Sequence, residues 1–409
     1  MVKKAAGNCV RAGVRAALVL FVLPLLYLLE PIYRIRLGTM HTQRFGQLAA
    51  NADTFLRTLQ LEGAPSRTFY LLFGWNPANR QLMEMWKRTR GFPVRFVESY
   101  LGTWLMIAWR PILVKTRFWE PTTVTATEYY LYNHTEPVLS FTEDEEKKGR
   151  ALLADMGIGD DDWFVCFNAR DGAYFRDWRP ELEDYWQMID FRNVDIGKFL
   201  SAAEYVASRG GFAVRYGAGV ENPLPETGNP RIIDYATKCR SDFMDIYLAA
   251  KCRFFIGTCS GPIGIASAFN VPVLSVSHFP FNYAYYRRCD IFIPRLLVTP
   301  ESGRRVPFGE AKQAGYYVGW EMASSIDKNM HLFDMLAVDP DDILDGCKDM
   351  LESLEGRAPP APAREIQDVY ADQYLSDYAG YEFAAQIGPR FVIKYRDLIV
   401  PEDGGGLTE

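Results

Sequence analysis

Histidine is scarce in this chain: His41, His134, His278 and His331 are the only four among 409 residues. A proton-transfer role has few imidazoles to draw on. The seven cysteines (Cys9, Cys166, Cys239, Cys252, Cys259, Cys289, Cys347) are odd in number and contain no Cys-x-x-Cys pair. That excludes a zinc or disulfide framework and fits reduced, mostly buried thiols of a cytoplasmic protein. Positive charge is also in deficit, with a net charge of −6 and no basic, aromatic-interleaved patch, so nothing argues for nucleic acid. A long unbroken apolar run is missing too. Ala16–Leu29 is interrupted by Pro24 and falls short of the roughly 20 residues a spanning helix needs. No small-x-small cleavage site follows; the chain continues Pro31-Ile32-Tyr33-Arg34-Ile35. Lys3, Lys4, Arg11 and Arg15 before the run, with Tyr27 inside it, fit a monotopic or re-entrant anchor on the cytoplasmic face. A buried helix of the first domain, or of an oligomer interface, is the other reading.

What is present is an α/β alternation long enough for two domains, each with its own core. Its most informative stretch is Arg253–Ser275. Phe254–Ile256 reads as a buried strand, Gly257–Pro262 as a turn, Ile263–Phe269 as a small-residue helix and Val271–Val276 as a second strand. That is the βαβ unit of an open parallel sheet. Ser260 suits an N-cap and Pro262 the first helical turn. Gly261 has no side chain to block approach to the N–H groups there, which suits a phosphate. A purely structural strand-to-helix turn has the same spacing.

In the first half, strands are expected at Ile32–Met40, Phe69–Phe73 and Val94–Val97, with helices at Leu48–Gln60 and Ala78 to about Arg90. Residues from about Leu101 to Pro137 are aromatic-rich and have no clear period. Thr142-Glu143-Asp144-Glu145 is a capping box opening a helix to about Met156, with its acids at the positive end of the helix dipole. The acidic loop Gly159–Asp162 reads as a solvated turn rather than a metal site. Strand Trp163–Phe167 then ends in Asn168-Ala169-Arg170-Asp171-Gly172, and open α/β sheets bind ligands at such strand ends. A long loop carries Tyr174, Arg176 and Trp178, followed by Arg192-Asn193-Val194-Asp195. A helix to about Ser208 and strands Phe212–Tyr216 and Ile232–Asp234 come next, with Gly217 opening the loop between them. Ser241 caps a helix Asp242–Lys251. Beyond Asp339-Pro340-Asp341-Asp342 lie a helix to about Leu354, a further helix Ala363–Tyr374 and the segment Phe391–Val400.

The ordered set Arg170-Asp171, Arg192-Asn193-Val194-Asp195, Arg209-Gly210-Gly211 with Arg215 and Gly217, Asp234-Tyr235-Ala236, Ser241-Asp242 with Asp245, and Phe254-Phe255-Ile256-Gly257-Thr258 with Ser260-Gly261 resembles a bacterial family of GT-B glycosyltransferases. These are encoded among surface-polysaccharide genes. The resemblance runs from about Phe45 to Leu398. The Ser260 turn is similar to the donor site of heptosyltransferases, and Arg170 is similar in placement to the phosphate-binding arginine of fucosyltransferases. One departure is Gln47, where the family commonly has a histidine.

The resemblance implies a GT-B fold: two Rossmann-like domains facing a cleft. Residues 1–30 would be the membrane-associating segment, 31–141 the acceptor domain and 142–345 the nucleotide-sugar domain. Residues 346–409 would be helices returning to the first domain. The implied reaction moves a sugar from a nucleotide diphosphate sugar, GDP- or UDP-linked, to a glycan or lipid-linked acceptor hydroxyl. It would invert configuration and need neither metal nor cofactor. The departing diphosphate requires fixed positive charge. Arg170 offers a planar clamp; Thr258, Ser260 and Gly261 offer the turn; Asn168 and Asp171 flank the arginine. Arg192 and Asn193 would contact the donor sugar or anchor the long loop. Arg215 would be a second phosphate ligand or an ion-pair partner. Asp234 and Asp242 would hold ribose or base, unless Asp242 only serves its helix. The base is expected in the first domain, from His41, Asp53 or Glu98, with His41 preferred. A nucleotide-sugar epimerase of the same fold, or a non-catalytic membrane-tethered partner of polysaccharide assembly, are the competing readings. A homo-oligomer is compatible with each.

Overall fold

The computed structural model describes residues 2–122, 126–173, 176, 190–279, 287–316, 332–375 and 385–400. The chain divides into two compact units, Met1–Thr125 with Thr135–Phe141, and Ala126–His134 with Thr142–Glu409. Tyr174, Trp178 and His331 lie outside the described residues.

The first unit opens with helix α1 (Val2–Ala17), a π turn Leu18–Val22 and helix α2 (Leu23–Leu29). Pro24 has no N–H and crowds the carbonyl one turn back. The helix answers by widening just before it: Leu23 N–H reaches back to Leu18 O rather than one residue less. Because the helix begins well before the apolar run, Val10–Leu29 forms one stretch of 20 residues, longer than the sequence run suggested, and its most apolar 18 residues have a mean hydropathy of 2.2. One narrow stripe of it, including Leu18 and Leu26, is buried against the domain.

Strands β1 (Arg34–Thr39), β2 (Thr68–Gly74) and β3 (Val94–Glu98) form a parallel sheet in the order β1-β2-β3. The connecting helices are α3 (Phe45–Glu62) and α4 (Arg80–Arg88). Trp86 Nε1 donates to the Leu48 carbonyl at 3.0 Å and ties α4 to α3. The first part of the aromatic-rich stretch after β3 is helix α5 (Tyr100–Leu113), capped by Ser99, which accepts from Gly102 N at 3.0 Å. Its period was obscured because its outward face is as apolar as its inward one.

The second unit begins with α6 (Glu143–Asp155), and its capping box is complete: Glu145 N donates to Thr142 Oγ1 and Thr142 N to Glu145 Oε2. Asp162, in the acidic loop, accepts from Gly159 N at 2.9 Å and closes the turn. The unit's sheet contains β4 (Phe164–Asn168), β5 (Phe212–Arg215), β6 (Ile232–Asp234), β7 (Phe255–Thr258), β8 (Val273–His278), β9 (Ile291–Pro294) and β10 (Gln386–Ile387). All pair in parallel, in the order β10-β9-β8-β7-β4-β5-β6. Helices of this unit include α7 (Leu200–Ser208), α8 (Asp242–Lys251) and α9 (Gly261–Ala268). Strands β4 and β7–β9 are buried throughout, as expected for a sheet covered on both faces.

The carboxy-terminal helices α10 (Pro340–Leu354), α11 (Ala361–Tyr370), α12 (Pro389–Lys394) and α13 (Arg396–Ile399) build into the core of this second unit. Ile343, Tyr370, Phe391 and Ile399 share one buried cluster with Leu274 and Phe292 of the sheet. Lys394 Nζ to Asp342 at 2.6 Å fastens α12 to α10.

Candidate functional site

The chain leaves β4 for β5 and β6 on one side, then crosses to β7, β8 and β9 on the other. The reversal falls between β4 and β7, and a crevice opens at the carboxyl ends of strands where the order reverses. Register sets the two ends side by side: Phe167 pairs with Ile256 and Asn168 with Gly257.

Two residues past β4, Arg170 N donates to Thr258 Oγ1 at 2.9 Å, so the two strand ends are joined directly. Ser260 Oγ is 3.0 Å from both Asn168 Oδ1 and the Thr258 carbonyl, its acceptors. Ser260 stands at the N-cap of α9, as its sequence position suggests, but its hydroxyl makes no bond to that helix. The first N–H groups of α9, beginning at Gly261, therefore receive no side-chain cap from it. Asn168 Nδ2 in turn donates to the Tyr216 carbonyl at 2.9 Å. A Cβ at Gly217 would stand 2.8 Å from Val220, so the loop after β5 packs this closely only on a glycine.

Arginines gather over this crevice. Arg170 is 5% exposed and donates through Nη1 to Asn193 Oδ1. Burial, and then the neighbouring Arg192 guanidinium, bring its pKa down to about 10, with Asp190 pulling the other way. It stays charged at neutral pH. Arg192 donates to the Cys259 carbonyl, and so spans from the Asp190–Arg192 turn to the β7 turn. Asn193 Nδ2 donates to Asp190 Oδ1 at 2.7 Å and holds that turn closed.

Arg295, one residue after β9, is a third cation that sequence reading passed over. It is buried, donates from Nε to Ser277 Oγ at 2.9 Å, and donates from Nη1 to the carbonyl of Phe191. Its acceptors, a hydroxyl and a carbonyl, are neutral, and burial lowers its pKa to about 10. Ser277 sits in the left-handed region at φ 55°, uncommon for a residue with a Cβ. The strain aims its hydroxyl at the guanidinium. The signal was available: a short apolar run, Ile291–Pro294, is followed at once by arginine, much as Phe164–Asn168 is followed two residues later by Arg170.

Other expected site residues are engaged elsewhere. Arg215 and Asp234 form a buried ion pair at 3.3 Å, one strand beyond β4. Asp234 also accepts from Leu224 N and Thr237 Oγ1, so it organises the β5–β6 loops. Asp171 accepts from Ala173 N and Glu221 N, and closes its own loop against the next. Asp242, first residue of α8, lies 3.2 Å from Arg240. Among the described residues no group of three or more His, Cys, Asp or Glu is placed to hold a metal ion.

In the first unit, His41 follows β1, and packing together with Arg110 and Arg44 holds its pKa below the usual histidine value. Asp53 is fully buried and bonded to Arg57 Nε at 2.7 Å, while Arg57 Nη1 also reaches the Thr135 carbonyl and hydroxyl. That is a structural role. Glu98 pairs with Lys87 at 3.1 Å. In the second unit, His278 is wholly buried, with its Nδ1 3.3 Å from Ser275 Oγ.

No protein-family model matches the chain, and no curated protein matches it. Solved structures do. A glycosyl transferase family 9 protein from Veillonella parvula DSM 2008 is 12% identical, with 79% of this chain and 98% of that chain covered at a TM-score of 0.45. The ADP-heptose lps heptosyltransferase II of E. coli is 12% identical, with 78% and 100% covered at 0.39. The glycosyltransferase SnogD from Streptomyces nogalater is 14% identical, with 75% of each chain covered at 0.25. Likenesses this distant leave the chemistry to be decided by the site itself.

Proposed function

We propose that this chain is a GT-B glycosyltransferase that moves a sugar from a nucleotide diphosphate sugar to an acceptor hydroxyl in surface polysaccharide or glycolipid synthesis. The observation that carries the reading is the pair Arg170 and Arg192 at a switch-point crevice beside the Ser260–Gly261 helix start, with Arg295 bonded to the same Asp190–Arg192 turn. The buried guanidinium of Arg295, held by a hydroxyl and a carbonyl, is costly. An anion arriving there lowers that cost, and a diphosphate brings charge matched to several arginines and a helix N-terminus at once.

In this reading the cleavage of the sugar–phosphate bond builds charge on the departing diphosphate, and these fixed donors meet it without rearranging. No metal is needed for that task. His41 takes the acceptor hydroxyl's proton as the base, and attack from the face opposite the diphosphate inverts the anomeric centre. The donor is GDP- or UDP-linked, and the acceptor is a glycan or lipid-linked hydroxyl. The enzyme works on the cytoplasmic face of the inner membrane through its amino-terminal segment.

A thermal-shift panel of GDP, UDP, ADP, CMP and dTDP with their common sugar conjugates tests the donor. One diphosphate should raise the melting temperature, and its sugar conjugate should release that diphosphate when a suitable acceptor is added. Conversion of the sugar nucleotide to an epimer without any acceptor would replace this reading with the epimerase. Failure of every nucleotide to bind would leave the non-catalytic partner.

A further inference from the structure

The first unit carries an apolar surface larger than its amino-terminal helix. Along Val10–Leu29 only 17% of the stretch is buried. Phe21 is 72% and Leu28 73% exposed, against a single stripe through Leu18 and Leu26 that faces the domain. Helix α5 lies alongside. Arg15 Nε donates to the Ala108 carbonyl at 2.9 Å, and Trp109 Nε1 to the Val14 carbonyl at 3.0 Å. The outward side of α5 is apolar as well: Tyr100, Ile107 and the C-cap Val114 are exposed at seven-residue spacing, and Leu101 is exposed beside Tyr100. Because the helices are neighbours, their outward faces adjoin.

The charges in these segments have one sign. Residues 2–29 contain Lys3, Lys4, Arg11 and Arg15, and residues 100–117 contain Arg110, Lys115 and Arg117. Neither segment has an aspartate or glutamate, although acids outnumber bases in the whole chain. The first acid after the helix, Glu30, is drawn to Arg117 at 3.3 Å.

We infer that α5 is a second membrane-contacting element, so that the first unit lies on an anionic bilayer with α5 and the amino-terminal helix side by side in the interface. An aliphatic and aromatic face with a purely basic complement suits anionic lipid. A second copy of this chain suits it less, because a two-fold contact would set the same basic residues against themselves. The depth follows from the backing. Helix α5 is packed on β1 and β2 and cannot leave them to cross a membrane. Val14, Arg15, Leu18 and Leu26 tie the amino-terminal helix to the same layer. Both therefore lie in the plane of the interface. The inference shares the membrane location proposed above and extends it to an element that is not part of the anchor.

The test is co-sedimentation of the full chain with phosphatidylcholine vesicles, with and without phosphatidylglycerol. It compares wild type, the pair Leu101→Glu with Ile107→Glu, and the pair Phe21→Glu with Leu28→Glu. The sites are exposed, so melting temperature and nucleotide shift should hold. Wild type should prefer the anionic vesicles, and each pair should lose about tenfold or more in partitioning, the order expected for withdrawing lipid-buried aliphatic side chains. Unchanged binding of the α5 pair, with binding lost in the Phe21–Leu28 pair, would overturn the inference and leave the anchor reading intact. Unchanged binding of both pairs would overturn the two together. Absence of vesicle binding, with light scattering showing a dimer that either pair dissolves, would assign the surface to contact between copies.

Discussion

Arg170 reaches the site by backbone as much as by charge. Its N–H is held by Thr258, its guanidinium is turned toward Asn193, and burial, with Arg192 second, lowers its pKa. If the guanidinium stabilises the departing diphosphate more than the bound donor, Arg170→Lys and Arg170→Ala should both cut turnover more than donor affinity. The expected loss is about 2–4 kcal/mol of barrier, the scale of one preorganised donor. Steady-state kinetics beside a donor Kd separate the two quantities. Near-normal turnover in Arg170→Lys with a lowered melting temperature would reduce the residue to a loop brace. His41 makes a prediction of a different kind. A histidine whose pKa is lowered stays neutral, and so able to accept a proton, to lower pH than an ordinary one. The acid limb of kcat/KM should therefore fall below the ordinary histidine value of 6.5 and disappear in His41→Gln. An acid limb unmoved by that substitution would remove His41 from the chemistry.

At the scale of elements, strand β7, its turn and helix α9 decide whether an anion can bind. Ser260 spends its hydroxyl on Asn168 and Thr258, so the helix start is presented by backbone. Gly261→Val should abolish nucleotide diphosphate binding, because a β-branched side chain would occupy the approach to those N–H groups. Thermal shift measures it, with the ligand-free melting temperature as the control for folding. A folded variant that binds as wild type would place the phosphate elsewhere. These elements were legible in the sequence because short apolar runs ended by Gly, Asn or Ser mark buried parallel strands; even the capping box at Thr142 could be read. Two features were not legible. Helix α5 hides its period, since a helix with apolar residues on both faces has no amphipathic contrast. Arg215 and Asp234 lie far apart in sequence, and nothing in either segment shows that they neutralise one another across β5 and β6.

In the whole molecule, the seven-stranded sheet has a working edge and a structural edge. The arginines occupy the carboxyl ends of β4 and β9, whereas Asp290 sits just before β9, at the amino ends of β8 and β9. Its two oxygens accept from Val273 N and Arg287 N, each at 2.9 Å. Burial nevertheless outweighs these bonds and raises its pKa from 3.8 to about 6. A carboxyl with a raised folded pKa binds more protons folded than unfolded, so its contribution to stability falls as pH rises between the two values. Asp290→Asn lacks that titration and should be less stable at every pH, because the amide offers one acceptor oxygen where two N–H groups need partners. Denaturant melts of both proteins from pH 3.8 to about 6 should show the wild type's advantage shrinking as pH increases. An advantage that grows over that interval would mean the two backbone donors win and the buried aspartate is held charged.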